Sequence, residues 1–158
     1  MRGLRCVAGA LVALLLATRA VAFTPGSPED TVARYLRALK DGRFDGAYDL
    51  ISKAMKGGKD REVWVKEQRA GMAYADVKIF DFTVYPGKLE GDKARVPNVL
   101  SSQDRFLNQL GLTEHEIYTL VREDGAWKVD QQLIVEPPDI PKWFSSEAKP
   151  PAVKADDH

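Results

Sequence analysis

The sequence predicts an α+β domain: two or three N-terminal helices packed on a curved antiparallel sheet of about four strands, a cone-shaped fold. Three observations predict it. Apolar residues between Ser27 and Ile51 recur at i, i+3, i+4 and i+7 spacing, the period of helices that bury one face. From Ala75 the period falls to two, as in strands. Pro86-Gly87, Gly91-Asp92 and Asp124-Gly125 then mark short turns, so the strands follow one another as a meander with the helices on one face.

The chain of 158 residues suits one domain with a real core. Its first 22 residues read as a cleavable export leader. Arg2 and Arg5 precede the apolar run Val7–Ala17, and Ala20-Val21-Ala22 supplies small residues at a cleavage site. The run is shorter than the roughly 20 apolar residues a membrane-spanning helix needs, so no membrane span is expected once the leader is removed. The mature domain is then 23–136, followed by a Pro-rich, extended or disordered tail at 137–158. A periplasmic or secreted location is expected. Cys6, the only cysteine, lies in the leader, which excludes disulfides, thiolate metal sites and cysteine nucleophiles from the mature chain. Removing Arg2, Arg5 and Arg19 leaves 20 basic against 23 acidic residues, a net charge of −3. Such a surface has no general attraction for nucleic acid.

The first helix is the clearest element. Ser27 is its cap, Pro28 suits the first helical position, Asp30 can reach back, and Val32, Tyr35, Leu36 and Leu39 form one face before Gly42. Phe44, Ala47, Tyr48 and Ile51 repeat the spacing over a shorter helix. Lys53–Lys59 reads as a loop, and Asp60 caps a third helix through Ala70, with Val63 or Trp64 on its face. Asp76–Tyr85 is a strand whose pattern slips partway, as a β-bulge would cause. Lys93–Ser101 is a second strand, in which Pro97 predicts an edge position or a second bulge. Gln103–Leu110 is expected to form one or two helical turns. Glu114–Glu123 and Ala126–Val135 are joined by the Asp124-Gly125 hairpin, with Trp127, Val129, Leu133 and Val135 on one face.

The segment PEDTVARYLRALKDGRFDGAYDLIS with the late EDGAWKVDQ strand resembles the nuclear transport factor two-like superfamily over roughly Ser27–Val135. That resemblance implies a curved sheet wrapped on a long helix around a cone-shaped pocket, frequently in homodimers formed through the sheet. Members include ketosteroid isomerases, dehydratases, polyketide cyclases and many binding or assembly domains, so the fold alone assigns no activity. Tyr35, Tyr48, Trp64, Phe82, Tyr118 and Trp127 are the side chains expected to line such a pocket. Enzymes of this fold pair a base with a hydrogen-bond donor, and Asp81 with Tyr35 is the weak candidate pair; by simple strand alternation Asp81 faces solvent.

Other chemistry finds little support. His115, between Glu114 and Glu116, reads as solvated, and neighbouring strand residues point to opposite faces, which disfavours a metal site. KAMKGGKDR lacks the strand context and GK[ST] ending of a phosphate loop, and a serine nucleophile has no histidine to activate it. Phe106, Leu107 and Leu110, with Trp143 and Phe144 in the tail, are the expected partner contacts. The expectation is a non-catalytic exported domain, without cofactor or metal, holding a small apolar ligand in the cone or an envelope protein on the sheet. The alternatives are an isomerase or dehydratase and a structural envelope-assembly module.

Overall fold

The computed structural model describes residues 23–144 and the two-residue strand 153–154; the leader expected at 1–22 lies outside the described residues. Helix α1 (Pro28–Lys40) begins where Ser27 Oγ accepts the Asp30 N–H, while Asp30 Oδ2 accepts from Gly26. Glu29 and Asp30 lie in its first turn and Arg37 and Lys40 in its last, complementing the helix dipole. Its inner stripe, Val32 and Leu36, is fully buried, worth about 1.5–3 kcal/mol per side chain.

Helix α2 (Phe44–Leu50) follows directly. The stretch read as a loop then opens with a single helical turn, α3 (Lys53–Lys56), capped by Ser52. The Ser52 hydroxyl accepts from Met55 N–H and donates to Asp130 Oδ1 at 2.6 Å, so one side chain starts the turn and ties it to the sheet. Helix α4 (Arg61–Tyr74) starts at Asp60 as expected and runs four residues past Ala70. Trp64 and Val65 are its buried residues, and Val63 is exposed.

The sheet contains β1 (Lys78–Val84), β2 (Lys88–Glu90), β3 (Lys93–Gln103), β4 (Leu112–Glu123), β5 (Ala126–Ile134) and β6 (Val153–Lys154). Its order is β5–β4–β3–β1–β6, with β2 beside the first residues of β3 and every pairing antiparallel. The expected bulge in β1 is present: Ile79 pairs with Ser102 and Asp81 with Ser101, leaving Phe80 over. That extra residue brings Ile79, Phe82 and Val84 onto the helix-covered face together.

Pro97 is neither at a sheet edge nor at a bulge. It sits inside β3, paired with Ile117 of β4. Tyr85 N–H donates to its carbonyl, so the proline's own nitrogen faces the same side, where β1 has just ended. The missing donor therefore coincides with the break between β1 and β2. Across β4 and β5, Asp124 and Gly125 have φ of 51° and 80°, the two positive values a two-residue hairpin turn requires. A second bulge, between the Thr119–Gln131 and Leu120–Val129 pairs, turns Leu133 to the other face from Trp127 and Val129. Leu133 is 63% exposed, against the expectation of a continuous apolar face.

Two further expectations are corrected. Gln103–Leu110 is not helical: after β3 it forms bends and a turn, with Asp104 Oδ1 accepting from the N–H groups of Phe106 and Leu107. The chain also does not become extended at Pro137. Pro137–Asp139 and α5 (Ile140–Trp143) are helical turns that lie against the outer face, where the Phe144 ring meets Tyr85 and His115 at 5.4 and 4.7 Å between centroids. Beyond them, β6 pairs with Thr83 and Val84 at the β1 edge.

Candidate functional site

Strand alternation divides the sheet cleanly. The inner face, under α1, carries Phe82 and Val84 from β1, Val96, Asn98 and Leu100 from β3, and Glu116, Tyr118 and Leu120 from β4. Asp81 pairs with Ser101 on the opposite face, and its carboxylate turns back to accept from the Phe82 N–H. Tyr35 lies inside, edge-on to Tyr118 at 5.9 Å. The sheet therefore separates Asp81 from Tyr35, and that pair does not form a site.

The interior holds a different carboxylate. Glu116 is 1% exposed, and its cross-strand neighbours are Asn98 and Ile134. Asn98 Nδ2 donates to Glu116 Oε2 at 3.0 Å and Gln132 Nε2 to Oε1 at 2.5 Å. Burial pushes the Glu116 carboxyl above its ordinary pKa, while the two amides pull the other way and Glu114 adds a small push upward. Burial, then the nearby Glu116, raises the Tyr35 hydroxyl to about 12. The same causes raise Tyr118 well above its usual value. Asn98 Oδ1 is buried with no partner among the described residues, which leaves one acceptor unused beside the carboxylate. Sequence reasoning passed over Glu116 as one of two acids flanking a solvated histidine. Its spacing was the available signal: Glu116, Tyr118 and Leu120 alternate on one face.

The expected pocket residues are dispersed. Tyr35, Phe82 and Tyr118 fill the interior with Val32, Leu36 and Val96. Trp64 and Trp127 are buried in the same core but make other contacts. Trp64 meets Tyr48 edge-on at 5.7 Å, and Arg122 lies over Trp127. Tyr48 is half-buried; its hydroxyl donates to Lys59 O, and Lys56 and Arg61 lie within 5 Å of its ring centre. Among the described residues these side chains serve as core and surface packing in several places.

At the end of the sheet where β3 gives way to β4, the apolar residues face outward. Leu107 and Leu110 are 93% and 92% exposed, and Tyr74, Phe80, Phe106 and Leu112 are exposed around them. The loop carrying them is held by its polar side chains. Asp104 accepts from two backbone N–H groups, which depresses its pKa. The buried Asn108 amide donates to Ser102 O and accepts the Leu112 N–H, both at 2.6 Å. Arg105 N–H donates to Ala75 O, and Phe106 packs against Tyr74 at 5.5 Å. Two leucines are thus held out by a braced backbone. Trp143 and Phe144, expected as partner contacts, lie elsewhere, on the outer face.

Helices on one face of a bent antiparallel meander, closed around Tyr35, Phe82 and Tyr118, make the cone that the resemblance implied. The architecture is the expected α+β one, helices on one face of an antiparallel sheet. Among solved structures the chain is similar to a SEC-C motif containing protein from Rhodopseudomonas palustris, 19% identical with a TM-score of 0.54 over 70% of this chain and 80% of that one. A ketosteroid isomerase-like protein from Erwinia carotovora atroseptica is 12% identical, with a TM-score of 0.47 over 69% and 94% of the two chains. A protein with a cystatin-like fold from Nostoc punctiforme is 15% identical, with a TM-score of 0.46 over 68% and 87%. At 19% identity the likeness to the first of these is one of fold alone. No protein-family model matches the chain, and neither does any curated protein. Among the described residues no helix is long and apolar enough to cross a membrane.

Proposed function

We propose that the chain is a non-catalytic binding domain, exported by its leader, that docks an apolar surface of a partner protein on the rim around Leu107 and Leu110. The observation that carries this is the inverted loop: its Asp104 and Asn108 side chains brace the backbone while its leucines stand in solvent. Exposed apolar clusters of this kind mark interaction sites. A braced loop also loses little conformational freedom on docking, which favours affinity. The filled interior argues against a small apolar ligand deep in the cone, since Val32, Leu36, Phe82 and Tyr118 occupy that space.

The test is quantitative affinity capture from an envelope fraction with the mature protein and its L107D/L110D variant. Both substitutions sit on open surface, so the variant's stability is expected to stay within about 1 kcal/mol of the parent's. A specific partner captured by the parent and lost, at least tenfold, from the variant is the expected outcome. Equal capture by both proteins, or no capture above a control domain, overturns the proposal.

A second reading, a proton-transferring isomerase or dehydratase, draws on one observation: a carboxyl of raised pKa beside two tyrosines. Glu116 would be its base and Tyr35 or Tyr118 its donor. It is the weaker reading, because both carboxylate oxygens are already held by amides and the group is sealed from solvent. Titrating apolar ketones while following the Tyr118 and Gln132 resonances tests it; unmoved resonances end it.

A further inference from the structure

The outer face of the sheet carries a cavity that the proposed rim does not touch. Its volume is about 530 Å³, within the roughly 300–1,000 Å³ of small-ligand sites. Its floor is two parallel rows of direct cross-strand neighbours. One row is polar, Arg95–Thr119–Gln131; the next is the apolar pair Ile117–Leu133. The second row exists because the β5 bulge turned Leu133 outward. The C-terminal turn supplies the wall, with Asp139, Lys142 and Trp143 facing the cavity. Cations gather at that wall: Lys88 lies 4.6 Å and Lys142 6.0 Å from the Trp143 ring centre. Arg95, beside the floor, is paired with Glu90 at 3.4 Å, and both are about half-exposed. An exposed pair of this kind is weak and exchanges readily.

A flat aromatic wall, an adjacent apolar strip, a row of hydrogen-bonding side chains and two cations ask for one kind of ligand. It is flat or ring-shaped, apolar on one face and anionic at one edge. Lys88, Arg95 and Lys142 outnumber the acids Glu90 and Asp139 around the cavity, so it favours an anion over a cation. We infer that this cavity is a binding site for a small ring-bearing carboxylate, with the ring against Trp143 and Leu133 and the carboxylate between Arg95 and Lys142. The shared chemistry is found in aromatic acids and in sugar acids.

The test is a titration of the full mature chain by NMR, following its three indole N–H signals, with Trp143 assigned from the signal lost in W143F. The probes are 4-hydroxybenzoate, glucuronate and their neutral counterparts, 4-hydroxybenzamide and glucose. Saturable movement of the Trp143 signal with either acid supports the site, and which acid moves it identifies the source. K142A and R95A are each expected to weaken that binding about tenfold, as loss of a charge-assisted contact does. L107D/L110D is expected to leave it unchanged, which separates this site from the rim. No movement with either acid, equal movement with the neutral compounds, or binding indifferent to both cation variants overturns the inference.

Discussion

Glu116 concentrates the chemistry of this protein in one side chain. Its burial disfavours the charged form, so its folded-state pKa lies above the ordinary glutamate value. The folded state then holds this proton more tightly than the unfolded chain does. The group's contribution to stability is fully present below the unfolded pKa and is lost as pH rises through the raised folded value. E116Q removes that ionisation, and the Asn98 amide can turn its unused oxygen toward the new donor. The variant is therefore expected to melt higher than the parent at pH 8, with the gap closing by pH 4. A difference in melting temperature that does not change with pH contradicts this. E116A instead leaves a cavity and two stranded amides, and is expected to cost about 2–4 kcal/mol. Reading this residue from sequence required the register of β4, because the two residues before it, Glu114 and His115, are only partly buried.

At the scale of elements, the parts that the sequence spelled out are those set by local rules. The Ser27 cap, the α1 stripe, the Asp60 cap and the Asp124-Gly125 turn each depend on residues within a few positions of one another. What escaped depends on distant partners. Pro97 reads as an edge signal until β1 is seen to end opposite it. Leu133 reads as core until the β5 bulge reverses its face. Phe106 to Leu110 has helical spacing, but Asp104 and Asn108 bind its backbone more locally than a helix would allow. The join between α1 and the sheet is another such long-range feature. Gly87 N–H donates to Glu29 Oε1 at 2.8 Å, and a Cβ there would lie 2.9 Å from both Arg95 O and Val96 Cγ2. G87A is expected to cost about 1–3 kcal/mol through this overpacking, read by chemical denaturation. A loss below 0.5 kcal/mol would mean that the β1–β2 turn yields freely.

For the whole molecule, the helices cover one face of the sheet and the C-terminal turn covers part of the other. Truncation after Glu136 removes the rings that cover Tyr85 and His115 and opens the buried Pro97 and Ile117 to solvent. The truncated domain is expected to lose about 2–4 kcal/mol and to self-associate with concentration in sedimentation velocity. A truncated protein as stable and as dispersed as its parent would show that the turn only rests on the sheet.

The path of that segment also has a consequence in time. It follows β5 at one edge of the sheet and lies on the outer face as far as Phe144, and β6 pairs with β1 at the far edge. Residues after Glu136 emerge later in synthesis than the helices and the meander, and domains begin to fold as they emerge. Helices, meander and hairpin are all available before the segment that covers the second face. Each newly made molecule therefore passes through an interval with one finished face and one open one. In that interval its hydrogen-bonding edge at β1 is free, and the protein is most at risk of joining a neighbour.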